Sequence, residues 1–363
     1  MNLDTLIVKG MTPMIELANS DGKCWLLPAH DIRTALCLYQ PGSTKGKLLK
    51  QCLPTLAATG FTTRAILRRI GGRIRSLDLT PSAHAAISEA FGNDSFSWAA
   101  FGGTPSPHSK PTLQVWHDDR LLGYCKFTDS RELYDALFIH EASILSHLAE
   151  RGMVHIPEVR ACRQLSDGLF FFAQSTEKTI RAKSPHIWTS AHDRFIATLE
   201  AASLQRILWE DTDTYRSLTM LGNDIGRIAP HHREPVKRHL SDIMAHMQGR
   251  QVEAVTVHGD FTPWNSVLTQ DGNLFVFDWE YASEAGIRGM DKCHFLVQSA
   301  IFERHLDIDS IVEELNMANT DATTLRIYLL DILSRFSARE PENWGTKPNP
   351  LADTWVALLE RHI

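Results

Sequence analysis

Paired cysteines are missing from this chain. Cys24, Cys37, Cys52, Cys125, Cys162 and Cys293 form no C-x-x-C pair, which argues against a zinc or dithiol motif. Scattered in this way, they read as reduced core residues of a cytosolic protein rather than a disulfide framework. Long apolar runs are missing too. The nearest, Gly168 to Ala173, falls far short of the roughly 20 residues a membrane-spanning helix needs. Met1 to Ser20 contain Asp4 and Glu16 and no apolar core of a signal peptide. A basic excess is also absent: the formal net charge is −6, so no nucleic-acid partner is expected. Repeats and low-complexity tracts are lacking. What remains is ordinary globular material, 363 residues that are 43% hydrophobic and 22% charged, long enough for two or three lobes with their own cores. A cytoplasmic location is the expectation.

Charge is nevertheless uneven. From Arg33 to Leu77 there are nine basic residues and no acidic one: Arg33, Lys45, Lys47, Lys50, Arg64, Arg68, Arg69, Arg73 and Arg75. Two readings stand side by side, a solvated helix face and a patch that meets a polyanion, such as an anionic membrane surface or a phosphorylated glycan. The second would put the protein at the inner face of the membrane. Gly42 to Lys47 imitates a phosphate loop but is one residue short, and Leu48 stands where Ser or Thr should bind magnesium.

Residues 1 to about 90 read as a mixed appendage. Phe96 to Phe101 and Leu113 to Trp116 then read as strands around Gly102-Gly103-Thr104-Pro105, a tip whose backbone N–H groups are candidates for phosphate contact. The Pro107-to-Pro111 stretch extends that loop. Leu121 to Phe127 is a further strand, with Leu122, Tyr124 and Lys126 on one face. Arg131 to Arg151 follows as an amphipathic helix with Leu133, Leu137, Ile144, Leu145 and Leu148 along its stripe. Glu141 lies in that stripe, and an inward carboxylate is costly unless it meets a cation. Lys126 is the natural partner; His140 as that partner, or Glu141 at the edge of the stripe, are the lesser readings. Helices are expected at His192 to Leu208, Pro235 to Gln248, Asp291 to Glu303, Ser310 to Asn316 and Thr323 to Phe336.

The densest polar pattern is Val257-His258-Gly259-Asp260-Phe261-Thr262-Pro263-Trp264-Asn265, with Asp278-Trp279-Glu280 after it. Phosphoryl transfer from Mg-ATP requires a carboxylate that positions the attacking hydroxyl, and an amide oxygen and second carboxylate that hold the metal. Val255 to Val257 reads as a strand leading into this loop. Ser266 to Thr269 and Leu274 to Phe277 read as a hairpin, and Asp271-Gly272 suits a two-residue turn in which both positions have positive φ. That register places Asn265 opposite Asp278, with Cβ atoms roughly 5 Å apart, and Asp260 one loop away. Trp264 and Trp279 flank the cluster, either as packing or as one wall of an acceptor pocket.

In this segment the chain resembles the catalytic core of the aminoglycoside phosphotransferase and choline kinase group, which carries a His-Gly-Asp triplet, an Asn five residues after its Asp, and an Asp-aromatic-Glu after a hairpin. Arg288-Gly289-Met290-Asp291 and His294-Phe295 are similar to the choline kinase continuation. The resemblance implies an α+β, two-lobed protein-kinase-like fold: an N-terminal α/β appendage at 1–90, a β-rich nucleotide-binding lobe at 91–175 and a mainly helical catalytic lobe at 176–363. It implies Asp260 as catalytic base, His258 as a structural member of the loop, and Asn265 and Asp278 as magnesium ligands. Lys126, Glu141, Gly102, Gly103 and Thr104 would serve ATP. Asp291 is expected to brace the loop, with contact to the acceptor as the alternative. The activity implied is transfer of the ATP γ-phosphate to a hydroxyl of a small molecule or glycan, with a cell-surface polysaccharide precursor as one acceptor class. Choline or ethanolamine kinase activity and a catalytically silent nucleotide-binding scaffold are the alternatives. Gly259 stands where protein kinases usually carry Arg, and no Asp-Phe-Gly follows, which sets protein substrates aside.

Overall fold

The computed structural model describes residues 1–39, 44–58, 72–104, 110–339 and 349–361. Arg64, Arg68 and Arg69 of the basic stretch, Gly42 of the phosphate-loop imitation, most of the Pro107-to-Pro111 loop and most of the Pro341-to-Pro350 stretch lie outside the described residues. The chain divides into two units, Met1–Ser146 with Ile156–Ala182, and His147–His155 with Lys183–Ile363.

The first unit is built on an eight-stranded sheet. Its strands are β1 (Ile7–Ala18), β2 (Cys24–Pro28), β3 (Arg73–Leu79), β4 (Ser97–Gly102), β5 (Thr112–His117), β6 (Arg120–Thr128), β7 (Val159–Gln164) and β8 (Phe170–Ser175). They lie in the order β3-β1-β2-β4-β5-β6-β8-β7, antiparallel throughout. Strands β1, β2 and β3, from the segment read in sequence as an appendage, therefore continue the same sheet: Cys24 to Leu26 pair with Gly102 to Ala100. The physical reason is that β4 would otherwise present an unpaired edge, a long-range relation that composition does not reveal.

Alternation along the strands separates two apolar clusters. One face carries Leu113, Val115, Cys125, Phe127, Phe171 and Ala173 together with Ala83, Ala86 and Ile87 of helix α3 (Pro81–Phe91). The other carries Ala99, Trp116 and Leu121 with Ile32 and Ala35 of α1 (Ile32–Ala35) and Leu53 of α2 (Thr44–Ala58). Gln114, buried on β5, donates to the Thr34 carbonyl at 2.8 Å and so ties α1 to the sheet. Two members of the basic stretch are paired, because Arg73 and Arg75 contact Glu16 at 2.6 and 2.9 Å. After β6 the chain turns helical through α4 (Arg131–Leu133), a π-helical stretch at Tyr134–Ile139 and α5 (His140–Glu150).

The second unit is mainly helical, with α6 (Ser190–Ser203), α7 (Asp213–Asn223), α8 (Pro230–Met247), α9 (Met290–Phe302), α10 (Ile308–Met317), α11 (Ala322–Arg339) and α12 (Pro350–Glu360). Among them sit β9 (Gln205–Leu208), β10 (Gln251–Val257) and β13 (Ser283–Ile287) in the order β13-β10-β9, and the hairpin β11 (Ser266–Leu268) and β12 (Leu274–Val276). The helix expected to run to Leu208 stops at Ser203. Leu204 is extended, and residues 205–208 pair with β10 instead, so tertiary pairing overrides a continuing apolar pattern. The core joins Leu218, Leu221, Val236, Val255, Val257, Val297 and the inner face of α11. No helix among the described residues is long and apolar enough to cross a membrane.

Candidate active site

β10 delivers His258, Gly259 and Asp260 at its end. Gly259 adopts φ 77°, and a Cβ placed there would lie 2.2 Å from the Tyr281 carbonyl oxygen, so only glycine fits. Asp291, in the first turn of α9, accepts from the backbone N–H groups of His258 at 2.8 Å and Gly259 at 3.2 Å. It braces the loop, and burial raises its carboxyl above the usual range, against the pull of His258 and the two N–H donors. From α11, Arg335 donates to the Gly259 carbonyl at 2.6 Å and to Asp331 at 2.8 Å. Burial works against the Arg335 charge, but Asp331, Tyr328 and Asp260 outweigh it.

His258 is enclosed and structural in its contacts. Its Nδ1 accepts from the Asp260 N–H at 3.2 Å, leaving Nε2 to donate to the Phe277 carbonyl at 3.0 Å. Burial lowers its pKa despite the opposing charges of Asp291, Asp260 and Asp278, so the ring is neutral, as those two contacts require. Asp260 itself is about one-third exposed (32%) and accepts from Asn265 Nδ2 on Oδ2 at 2.8 Å, while His294 Nε2 stands 3.1 Å from Oδ1.

The hairpin departs from expectation by one residue. β11 and β12 pair 266 with 276, 267 with 275 and 268 with 274, and Thr269 N–H donates to the Asn273 carbonyl at 2.9 Å. The loop is thus three residues, 270–272. Gly272 takes φ 74° and Asp271 is not among the positive-φ residues, which rules out the two-residue turn and matches a three-residue loop with a left-handed third position. Asn265 consequently faces Phe277, whose N–H donates to its carbonyl at 3.0 Å. Asp278 comes one residue later, in a left-handed conformation at φ 71°, uncommon for a non-glycine residue though more readily adopted by Asp. The directly opposed pair of Asn265 and Asp278 does not form. Both still border the loop: Asn265 contacts Asp260, and the Asp278 charge acts on His258.

Asn265 also shows that the donor set suits a hard cation. Its Nδ2 is committed to the Asp260 carbonyl at 3.0 Å and the Asp260 carboxylate at 2.8 Å, so the amide oxygen is the atom turned elsewhere. An amide oxygen and a carboxylate are the ligands magnesium prefers. Trp279 is fully buried, donates to the Val276 carbonyl at 3.0 Å and packs on His258. Trp264 packs edge-on against Phe302.

In the first unit, Lys126 Nζ and Glu141 Oε2 lie 2.8 Å apart with side-chain exposures of 7% and 0%. The strand lysine and helix glutamate are brought together as their periodicity indicated. The glycine tip carries less information. Gly102 ends β4, neither Gly102 nor Gly103 has positive φ, and a Cβ at Gly103 would meet nothing within 4 Å. Thr104 is exposed. Arg335 and Asp331 were not anticipated from sequence. Their only local signal is an Arg four residues after an Asp in the helical stretch 322–339.

A model of the "Phosphotransferase enzyme family" matches residues 108–285. No curated protein matches the chain by sequence. Among solved structures, a thermostable mutant of aminoglycoside phosphotransferase APH(4)-Ia in ternary complex with ADP and hygromycin B is similar, at 14% identity and a TM-score of 0.52, over 77% of this chain and 98% of that one. Another variant of that enzyme, with AMP-PNP and hygromycin B, gives a TM-score of 0.51 at the same identity and coverage. These likenesses show the fold: α+β, protein-kinase-like, with a β-rich and a mainly helical unit. The family model and the sequence motif coincide: residues 108–285, which contain Lys126, Glu141, Asp260, Asn265 and Asp278, are similar to the phosphotransferase enzyme family.

Proposed function

We propose that the protein transfers the γ-phosphate of ATP to a hydroxyl group of a small molecule or glycan. The observation that carries this reading is the Asp260 carboxylate, held by Asn265 and still one-third exposed. In the reaction the acceptor oxygen bonds to the γ-phosphorus and the bond to the β,γ-bridging oxygen breaks, releasing ADP. The hydroxyl proton passes late to Asp260, because a loose transition state needs little prior deprotonation. Asn265, through its amide oxygen, and Asp278 would hold magnesium, which when bound neutralises phosphate charge. The Lys126 ammonium, kept in place by Glu141, is the fixed cation assigned to the nucleotide phosphates. His258 stays neutral and holds the loop.

For the acceptor, hygromycin B in the similar structures and the exposed side of Asp260 support a saccharide-like polyol. A surface-polysaccharide precursor remains the finer reading, with basic residues of 33–77 as the cationic contact for its anionic groups. An acceptor screen read by ADP release tests the proposal, using aminoglycosides, simple sugars, lipid-linked saccharides and choline. Magnesium-dependent turnover with a hydroxylated acceptor is expected, and Asp260→Asn should lower it about 10²- to 10⁴-fold. Undiminished turnover in that variant removes Asp260 from the role.

A further inference from the structure

Resting on that functional reading, we propose that His294 is a positioning residue that locks the orientation of the Asp260 carboxylate from the side opposite Asn265. Its Nε2 lies 3.1 Å from Asp260 Oδ1, while Asn265 Nδ2 lies 2.8 Å from Oδ2. Each oxygen thus has one partner, and rotation of the carboxylate about its Cβ–Cγ bond breaks both contacts at once. Carboxylate oxygens of an ionised aspartate only accept, so Nε2 carries the proton and donates.

The rest of the imidazole environment says why a histidine is there. The side chain is buried, 5% exposed, and its ring meets Tyr328 edge-on with centroids 5.6 Å apart. Nδ1 is buried and has no hydrogen-bond partner among the described residues. A buried polar atom without a partner costs free energy, so Leu or Met would fill this site at lower cost if packing were the whole role. Among the described residues, the contact with Asp260 is the one hydrogen bond of the ring that offsets that cost. His294 also sits one helical turn after Asp291, which holds the backbone of His258 and Gly259. Residues three apart on a helix share a face. A single face of α9 therefore fixes both the backbone of the loop and the side chain at its end.

The test compares His294→Leu, which keeps volume and removes the donor, with His294→Gln, whose amide nitrogen stands in for Nε2. The leucine variant is expected to lose about 10- to 100-fold in kcat, the scale of a misplaced reacting group. Its KM for ATP should stay within about twofold and its Tm should not fall. The glutamine variant should recover most of the lost kcat. Equal kcat in leucine variant and wild type, or equal loss in both variants, overturns the proposal. A ¹⁵N spectrum of the His294 ring read in wild type and Asp260→Asn judges the clamp without any turnover. An Nε2 signal that shifts with the substitution supports it, and one that does not overturns it. Absence of turnover in wild type with every acceptor would count against the phosphotransfer reading alone, with the ring spectrum still deciding the clamp.

Discussion

Lys126 and Glu141 form an ion pair from which water is almost wholly excluded, at 2.8 Å with side chains 7% and 0% exposed. Such a pair contributes little net stability against an apolar replacement, but loss of one partner strands a charge at a cost of about 3–5 kcal/mol. Glu141→Leu is therefore expected to destabilise the protein, by no more than about 3–5 kcal/mol. The double variant Lys126→Met with Glu141→Leu should recover most of the loss in urea unfolding while ADP release stays abolished. If the double variant is no more stable than the single one, the stranded charge is not the cause.

Gly259 offers a sharper test of the loop. At φ 77° and with the Tyr281 carbonyl 2.2 Å from an added Cβ, Gly259→Ala meets both backbone strain and a steric clash. Strain of this kind costs about 1–3 kcal/mol, and the loop must move to relieve the clash. Activity should fall more than stability does, since Asp260 follows directly in the chain. Retention of wild-type kcat in a folded Gly259→Ala protein would show that the loop tolerates the shift.

How much of this was legible in the sequence depends on the range of the interaction. His258, Asp260 and Asn265 are close in the chain, so their spacing alone announced the site. Lys126 and Glu141 were readable because a strand of period two and a helix of period 3.6 each pointed a charge inward. The hairpin register was misread because Asp271-Gly272 suits two loop lengths, and only backbone angles separate them. Pairings between distant segments left no local trace. β2 with β4, β9 with β10, and Arg335 reaching Gly259 each join residues whose partner no window of sequence contains.

The Asn265 amide predicts an order among substitutions that simple ligand chemistry would reverse. Asp is by itself a better magnesium ligand than Asn, yet Asn265→Asp would set a carboxylate where Nδ2 now lies 2.8 Å from Asp260 Oδ2. Two carboxylates at that distance cannot both stay ionised at little cost. Asn265→Asp is accordingly expected to be slower than Asn265→Ala at saturating magnesium. Asn265→Ala should raise the magnesium needed for half-maximal rate by about 10- to 100-fold, and a chelator should stop turnover in wild type. A faster aspartate variant would mean that the amide nitrogen does not face Asp260.

Acid sensitivity should arise from His192. It is fully buried, and its Nδ1 accepts the Thr189 N–H at 3.0 Å at the start of α6. Burial pulls its pKa from 6.5 down to about 4. Between those values the unfolded chain binds a proton that the folded chain refuses, so stability rises with pH across the window and is lost as pH falls through it. The shift corresponds to about 3 kcal/mol at its lower end. His258, lowered by burial in the same direction, adds to the loss on the acid side. His192→Gln keeps an acceptor for Thr189, since glutamine serves at the third helical position of a capping box, and removes the titration. Urea unfolding from pH 7 to pH 4 should therefore show a shallower decline in His192→Gln than in wild type. Parallel curves for the two proteins would place the acid sensitivity elsewhere.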